Sequence, residues 1–152
     1  MATISLFTGS VYGGAQATAE AVQNALIEQG HQVHLYSDPT LEDLLADPES
    51  AILVCTSTTG QGELPANLVP FYVTVRDRLP LQPQRPFGII VLGDSSYDDT
   101  FCGAGDLMEE ALYEIACRKV GDTLRIDAME TLDPKDEAVP WAREWVKLLD
   151  SE

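Results

Sequence analysis

Cysteine, cationic residues and long apolar runs are all scarce in this sequence, and each shortage closes a class of function. The three cysteines, Cys55, Cys102 and Cys117, are odd in number, widely spaced and without a Cys-x-x-Cys pair. That gives no basis for a disulfide framework or a structural zinc site. Only 9 Lys and Arg stand against 25 Asp and Glu, for a formal net charge of −16. Such a charge repels phosphate backbones and lipid headgroups, so nucleic-acid and membrane partners are not expected, while a basic protein partner is permitted. No apolar stretch approaches the roughly 20 residues that span a bilayer. The first residues, Met1 to Phe7, carry no positive segment and reach Thr8-Gly9-Ser10 too soon for a cleaved leader. A cytoplasmic chain is the expectation.

What is present points to one packed domain over residues 1–152. The length allows one sizeable core, and 45% apolar content with 11 Gly and 9 Pro excludes a disordered acidic tail or a fibrous repeat. Residues 3–8, 33–36, 51–55, 87–92 and 123–128 have strand length and composition. Ala51-Ile52-Leu53-Val54-Cys55 and Ile89-Ile90-Val91-Leu92 are continuously apolar, as central parallel strands covered on both faces require. Between them run helical stripes: Ala15, Ala19, Val22 and Leu26; Leu68, Phe71, Tyr72, Val75 and Leu79; Met108, Ala111, Leu112 and Ile115; Trp141, Trp145 and Leu148. Pro140 is expected in the first turn of the last helix, and Thr40 with Asp43 makes a capping box for a short one. The Pro-rich residues 80–86 form an extended connection. Strands alternating with helices imply right-handed βαβ units, hence an open α/β doubly wound sheet.

In such a sheet ligands bind outside the carboxyl ends of the strands, at the switch in strand order. Three loops there are rich in glycine and hydroxyls. The first, Ser10-Val11-Tyr12-Gly13-Gly14-Ala15, lies between a strand and a helix start, where backbone amides point at an anion. It has no lysine and is not Gly-x-Gly-x-x-Gly, which suits a monophosphate held by neutral donors. Taken alone it is equally well a tight turn. The second, Thr56-Ser57-Thr58-Thr59-Gly60-Gln61-Gly62, offers four consecutive hydroxyls to a polyol chain or a phosphate. The third, from Leu92-Gly93-Asp94 through Tyr97 to Phe101-Cys102, places two aromatic rings in a loop, where stacking on a planar ligand explains them better than helix packing. A phosphate end, a polar chain and a flat ring together describe flavin mononucleotide (FMN).

These three motifs, in this order, resemble those of the flavodoxin family, and most closely the short-chain bacterial flavodoxins of the MioC and YqcA type. The similarity runs along nearly the whole chain, including Arg118-Lys119-Val120-Gly121-Asp122 and the Pro140-Trp141 helix. The resemblance implies five parallel strands in the order 2-1-3-4-5. It assigns Ser10, Val11, Tyr12, Gly13, Gly14 and Ala15 to the phosphate loop. Ser57, Thr58, Thr59, Gly60 and Gly62 fall beside the ring and ribityl chain, and Leu92, Gly93, Asp94, Tyr97, Phe101 and Cys102 on the other side, with Tyr97 stacked on the ring. It further implies that the Gly60 carbonyl accepts a hydrogen bond from the N5–H that flavin gains on reduction, which a glycine peptide flip makes inexpensive. Three departures accompany the match. Gly14-Ala15 replaces a donor-bearing pair, and each missing neutral hydrogen bond weakens binding by about 0.5–1.5 kcal/mol. Thr59 stands where a second stacking aromatic is common. One extra residue separates Tyr97 from Phe101, which leaves the contacts of Phe101 and Cys102 open.

The implied function is a low-potential one-electron carrier between a basic, NADPH-dependent flavoprotein reductase and acceptor proteins, acting as a monomer. Six acids between residues 94 and 110, with no Lys or Arg among them, would disfavour the fully reduced flavin anion. They also form a docking face near Asp98, Asp99 and Asp106. Residues 77–152 hold 17 of the 25 acids. An FMN-dependent NAD(P)H oxidoreductase acting on quinones or nitro compounds, and a redox-silent accessory module, are the alternatives. No second nucleotide fingerprint favours the former. His31 and His34 read as solvated, Cys102 as a small packing residue, and strand three ends in Cys55-Thr56-Ser57 where a receiver domain would need an aspartate.

Overall fold

A computed structural model describes residues 2–10, 14–58, 62–93, 102–127, 130 and 133–150. The chain alternates as the apolar runs predict: β1 (Thr3–Gly9), α1 (Gly14–Glu28), β2 (Gln32–Tyr36), α2 (Leu41–Leu45), β3 (Ala51–Ser57), α3 (Val69–Arg78), β4 (Pro86–Gly93), α4 (Gly103–Glu114), β5 (Arg118–Lys119), β6 (Leu124–Asp127) and α5 (Lys135–Asp150). Every strand pairing is parallel, in the order β2-β1-β3-β4 followed by an edge. That edge is the expected fifth strand in two pieces. Pro86 and Phe87 pair with Arg118 and Lys119, and the pairing resumes at Ile90 opposite Leu124. Two residues of β4 therefore face four of the edge, where Gly121 turns the chain at φ +71°. Arg118-Lys119 is too short and polar to read as a strand in sequence.

The strands lack alternation because helices cover both faces. On one face Ile4, Leu6, Leu53, Cys55 and Ile90 meet the alanine stripe of α1 and Ala138, Ala142, Trp145 and Val146 of α5. On the other, Phe7, Val54, Phe87, Ile89 and Val91 meet Leu68, Phe71, Val75, Met108, Leu112 and Ile115. Gly88, in the middle of β4, lies under the Trp145 ring, whose Nε1–H donates to the Val120 carbonyl at 2.9 Å. Trp141 stacks on Trp145 from outside, with ring centres 6.0 Å apart.

Three local expectations are corrected. Leu79 is 48% exposed, because α3 ends before it: Leu79 takes a left-handed conformation and donates its N–H to the Val75 carbonyl. Leu148 is 45% exposed, since the buried stripe of α5 runs through Ala138, Ala142, Trp145 and Val146. Pro140 lies inside α5, which begins at Lys135 with Asp136 and Glu137 in its first turn, where acids favour a helix start. The capping box at α2 forms as expected, with Asp43 N–H on Thr40 Oγ1 at 3.2 Å and Thr40 N–H on Asp43 Oδ2 at 3.0 Å.

The Pro-rich connection holds what no periodicity shows. Arg85 is 4% exposed, and its five N–H groups are all used. They reach the Ser50 carbonyl (2.8 Å), the Leu44 carbonyl (2.6 Å), Gln82 Oε1 (3.0 Å), the Asp47 carbonyl (3.0 Å) and Ser50 Oγ (2.8 Å). Ser50 Oγ also contacts Ser5 Oγ at 2.6 Å, so the knot ties α2, the approach to β3, and β1 together at the amino end of the sheet. No helix among the described residues is long and apolar enough to cross a membrane.

Candidate functional site

Strand register brings the first two loops and the start of the third to one rim. Gly9 pairs with Thr56, and Ser57 pairs with Leu92, so the carboxyl ends of β1, β3 and β4 lie side by side. The order reverses between β1 and β3, and Ser10 leaves the sheet there, a few residues before α1 starts at Gly14. Ser57 Oγ–H donates to the Gly9 carbonyl at 3.5 Å, linking the first two loops.

Glycine is required at some of these positions and free at others. A Cβ on Gly9 would lie 2.9 Å from Leu68 Cβ and from Thr56 Oγ1, so the residue is bare to let Leu68 close over β1. A Cβ on Gly103, at the start of α4, would lie 2.7 Å from the Gly62 carbonyl oxygen, and Gly62 itself has φ +75°. The loop after β3 thus rests on the amino end of α4. A Cβ on Gly14 would meet only Leu92 Cδ2, at 4.0 Å. Packing therefore does not explain the missing donor at Gly14. Ala15 is fully buried in the core facing α5, and its carbonyl accepts from the Cys55 thiol at 3.6 Å.

Among the described residues, two hydroxyls are left over. Thr8 Oγ1 and Thr58 Oγ1, at the ends of β1 and β3, are buried without a hydrogen-bond partner. Thr8 is fully buried, and by strand alternation it shares the face of Ile4 and Leu6 toward α1. An unpaired buried hydroxyl costs about 1–3 kcal/mol, so hydroxyls kept in this state fit a rim built to donate to something else.

On the far flank, Cys102 is fully buried in a left-handed conformation (φ 57°), with its Sγ 3.8 Å from the Val91 carbonyl. Burial pushes its thiol up to about 11 even though the Arg125 guanidinium opposes the shift. A protonated, enclosed thiol agrees with the packing role read from sequence. Cys55, buried with no charge beside it, is pushed up to about 12.

The acidic run is less bare in space than in sequence. Arg125 of β6 pairs with Asp106 at 2.8 Å, Lys119 of β5 pairs with Glu109, and Arg76 of α3 pairs with Glu114 at 3.1 Å. The edge strand supplies cations that the segment itself lacks, and α3 supplies one just beyond it. His34 is exposed as expected, whereas His31 is half-buried and its Nδ1 accepts the Ala2 N–H at 2.9 Å.

Ser10, Gly14, Ser57, Thr58, Gly62, Leu92, Gly93 and Cys102 thus stand at or beside the carboxyl ends of β1, β3 and β4, whereas Ala15 is buried in the core against α5. Val11, Tyr12, Gly13, Thr59, Gly60, Asp94, Tyr97 and Phe101 lie outside the described residues, as do Asp98 and Asp99. One participant was missed. Asn67, in the loop before α3, accepts from Ser10 N–H at 3.0 Å and donates to the carbonyls of Thr8 (3.2 Å) and Ser37 (2.6 Å). Its neighbours Pro65-Ala66 and Leu68 carry no sign of this.

The comparisons with known proteins agree with this geometry. The family model described as Flavodoxin matches residues 6–141. Flavodoxin YqcA of Pectobacterium carotovorum subsp. carotovorum is 43% identical over 152 residues, covering all of both chains. Protein MioC of Escherichia coli K12 is 41% identical, covering 98% of this chain and 99% of its own. A cysteine-to-alanine mutant of flavodoxin from Pseudomonas aeruginosa superposes with a TM-score of 0.91 at 42% identity, covering 97% and 99% of the two chains. The family model over residues 6–141 and this full-length similarity place the chain in the flavodoxin family.

Proposed function

We propose that this chain is a low-potential one-electron carrier that holds FMN non-covalently at the rim of β1, β3 and β4. Members of the flavodoxin family bind FMN and act in electron transfer. The observation that carries the reading is the pair of buried, unpartnered hydroxyls at Thr8 and Thr58, at the reversal in strand order. When bound, FMN supplies the one-electron chemistry, and the protein tunes and orients it. Ser10 and the backbone amides at the start of α1 suit a phosphate, because neutral donors and the positive helix end favour an anion without a lysine. Ser57 and Thr58 offer hydroxyls to a polyol chain, and Leu92, Gly93 and Cys102 form the opposite flank. The family resemblance assigns Tyr97 the stacking role on the ring.

The absorption spectrum of the purified chain, with release and identification of its chromophore, tests this directly. A yellow protein that yields FMN is expected; a colourless protein that cannot be reconstituted with FMN refutes the reading. Thr58→Val sharpens the test. Removing an unpaired hydroxyl should stabilise the FMN-free chain by about 1 kcal/mol and weaken FMN binding about five- to tenfold. Denaturation of the apoprotein and a flavin fluorescence titration measure the two effects, and their opposite signs distinguish a ligand from a packing residue.

Electrons would arrive from a basic, NADPH-dependent flavoprotein reductase docking near Asp98, Asp99 and Asp106. Arg125 and Lys119 neutralise Asp106 and Glu109 locally, so steering rests on the net charge and the remaining acids. Reduction by such a reductase should slow at least tenfold from about 0.02 to 0.5 M salt, where screening shortens to a few ångströms. A salt-independent rate counts against this docking mode. Steady NADPH oxidation by the chain alone would favour the oxidoreductase alternative.

A further inference from the structure

We propose that Asn67 is a positioning residue that fixes the departure of the β1–α1 loop and thereby sets the preference for phosphorylated over unphosphorylated flavin. This rests on the FMN reading above. Asn67 and Leu68 together hold three successive residues of β1 and its exit. Asn67 Nδ2–H donates to the Thr8 carbonyl, Leu68 closes over the bare face of Gly9, and Asn67 Oδ1 accepts from Ser10 N–H. The second Nδ2–H reaches the Ser37 carbonyl just past β2, so β1 and β2 end in a fixed relation. The amide cannot turn over. Ser10 presents an N–H and needs an oxygen, while Thr8 and Ser37 present carbonyls and need donors. Asp supplies no donor for the carbonyls, and Ser is too short to bridge three segments.

The consequence is selective. Backbone amides bind an anion well only if they are aimed before it arrives. Asn67 fixes the chain at Thr8 and Ser10, where it leaves β1, and among the described residues its hydrogen bonds go to Thr8, Ser10 and Ser37. The phosphate end of the ligand depends on Asn67; the ring end does not.

The experiment compares FMN and riboflavin affinities of the wild-type chain with those of Asn67→Ala, Asn67→Ser and Asn67→Asp, alongside apoprotein melting and exchange of the Ser10 amide. For Asn67→Ala we expect FMN binding about tenfold weaker and riboflavin binding changed less than about threefold, with faster exchange at Ser10. Asn67→Asp turns a carboxylate oxygen toward the Thr8 and Ser37 carbonyls and adds charge near the phosphate, so its FMN affinity should fall below that of Asn67→Ala. Asn67→Ser should resemble Asn67→Ala and serves if the alanine variant does not fold. Equal losses for both flavins, or an unchanged FMN affinity, overturn the inference while leaving the FMN reading standing. A wild-type chain that takes neither flavin overturns both.

Discussion

Gly88→Ala is expected to destabilise the chain by about 3–5 kcal/mol and to redden its tryptophan fluorescence. A methyl group at this position would sit 2.6 Å from Trp145 Cε2 and against Nε1. Neither partner can yield cheaply. Gly88 is paired with Leu53 of β3, which holds its backbone in place, and Trp145 is 1% exposed. Overpacking a core costs about 1–3 kcal/mol. Pushing the indole outward also strands its buried N–H and the Val120 carbonyl, for about 1–3 kcal/mol more. The denaturation midpoint should fall with an unchanged slope, since the surface exposed on unfolding is the same. A loss under about 1 kcal/mol would mean that Trp145 has another seat. Because the displaced ring stacks on Trp141, the emission shift should accompany the stability loss.

Arg85→Met is the second large effect, again about 3–5 kcal/mol, but with a different signature. The hydrogen-bond partners of Arg85 among the described residues are all neutral: three carbonyls, one amide oxygen and one hydroxyl. Burial pushes its pKa down, which registers the cost of desolvating the cation. Five charge-assisted hydrogen bonds offset that cost. Methionine fills much of the volume but strands the oxygens of Leu44, Asp47 and Ser50, each buried acceptor costing about 1–3 kcal/mol if it finds no water. Arg85→Lys keeps the charge yet brings three donors to five acceptors, so it should recover less than half of the loss. The knot lies at the amino end of the sheet, opposite the rim where β1, β3 and β4 end and where FMN binding is proposed. Variants measured well below their melting temperature should therefore bind FMN as the wild type does. A parallel loss of affinity and stability would show that the two ends are coupled.

The contrast between these residues explains what could be read in advance. Continuous apolar runs at residues 51–55 and 89–92 have one physical explanation, burial on both faces, and they marked the central strands. Glycines and hydroxyls at the strand ends pointed to the carboxyl rim as the ligand side, although Gly9 and Gly103 are bare because of close packing. Features governed by long-range partners left no trace. Arg85 looks like a solvated residue in a Pro-rich connection, since nothing nearby says that Leu44, Asp47 and Ser50 will converge on it. Asn67 is one polar residue among several, and its three partners lie 30 to 59 positions away. The acids of α4 look unopposed because their cations come from β5, β6 and α3. Leu79 and Leu148 kept the helical spacing yet fell outside the buried stripe, one because its helix had ended and the other because the stripe had drifted around the axis.

The break between β5 and β6 has a consequence for how this chain behaves among its own copies. An open sheet ends in strands whose outer N–H and C=O groups are ready to pair with another chain, which is how edge-to-edge aggregation starts. Here one border is cut into pieces of two and four residues, displaced by two positions and bearing Arg118, Lys119 and Arg125. The other border, β2, is five residues long and turns Gln32 and His34 to water. Neither offers a long, flat, apolar template. A second copy would have to match a staggered edge while carrying the same −16 charge, so self-association through the sheet is opposed by both shape and repulsion.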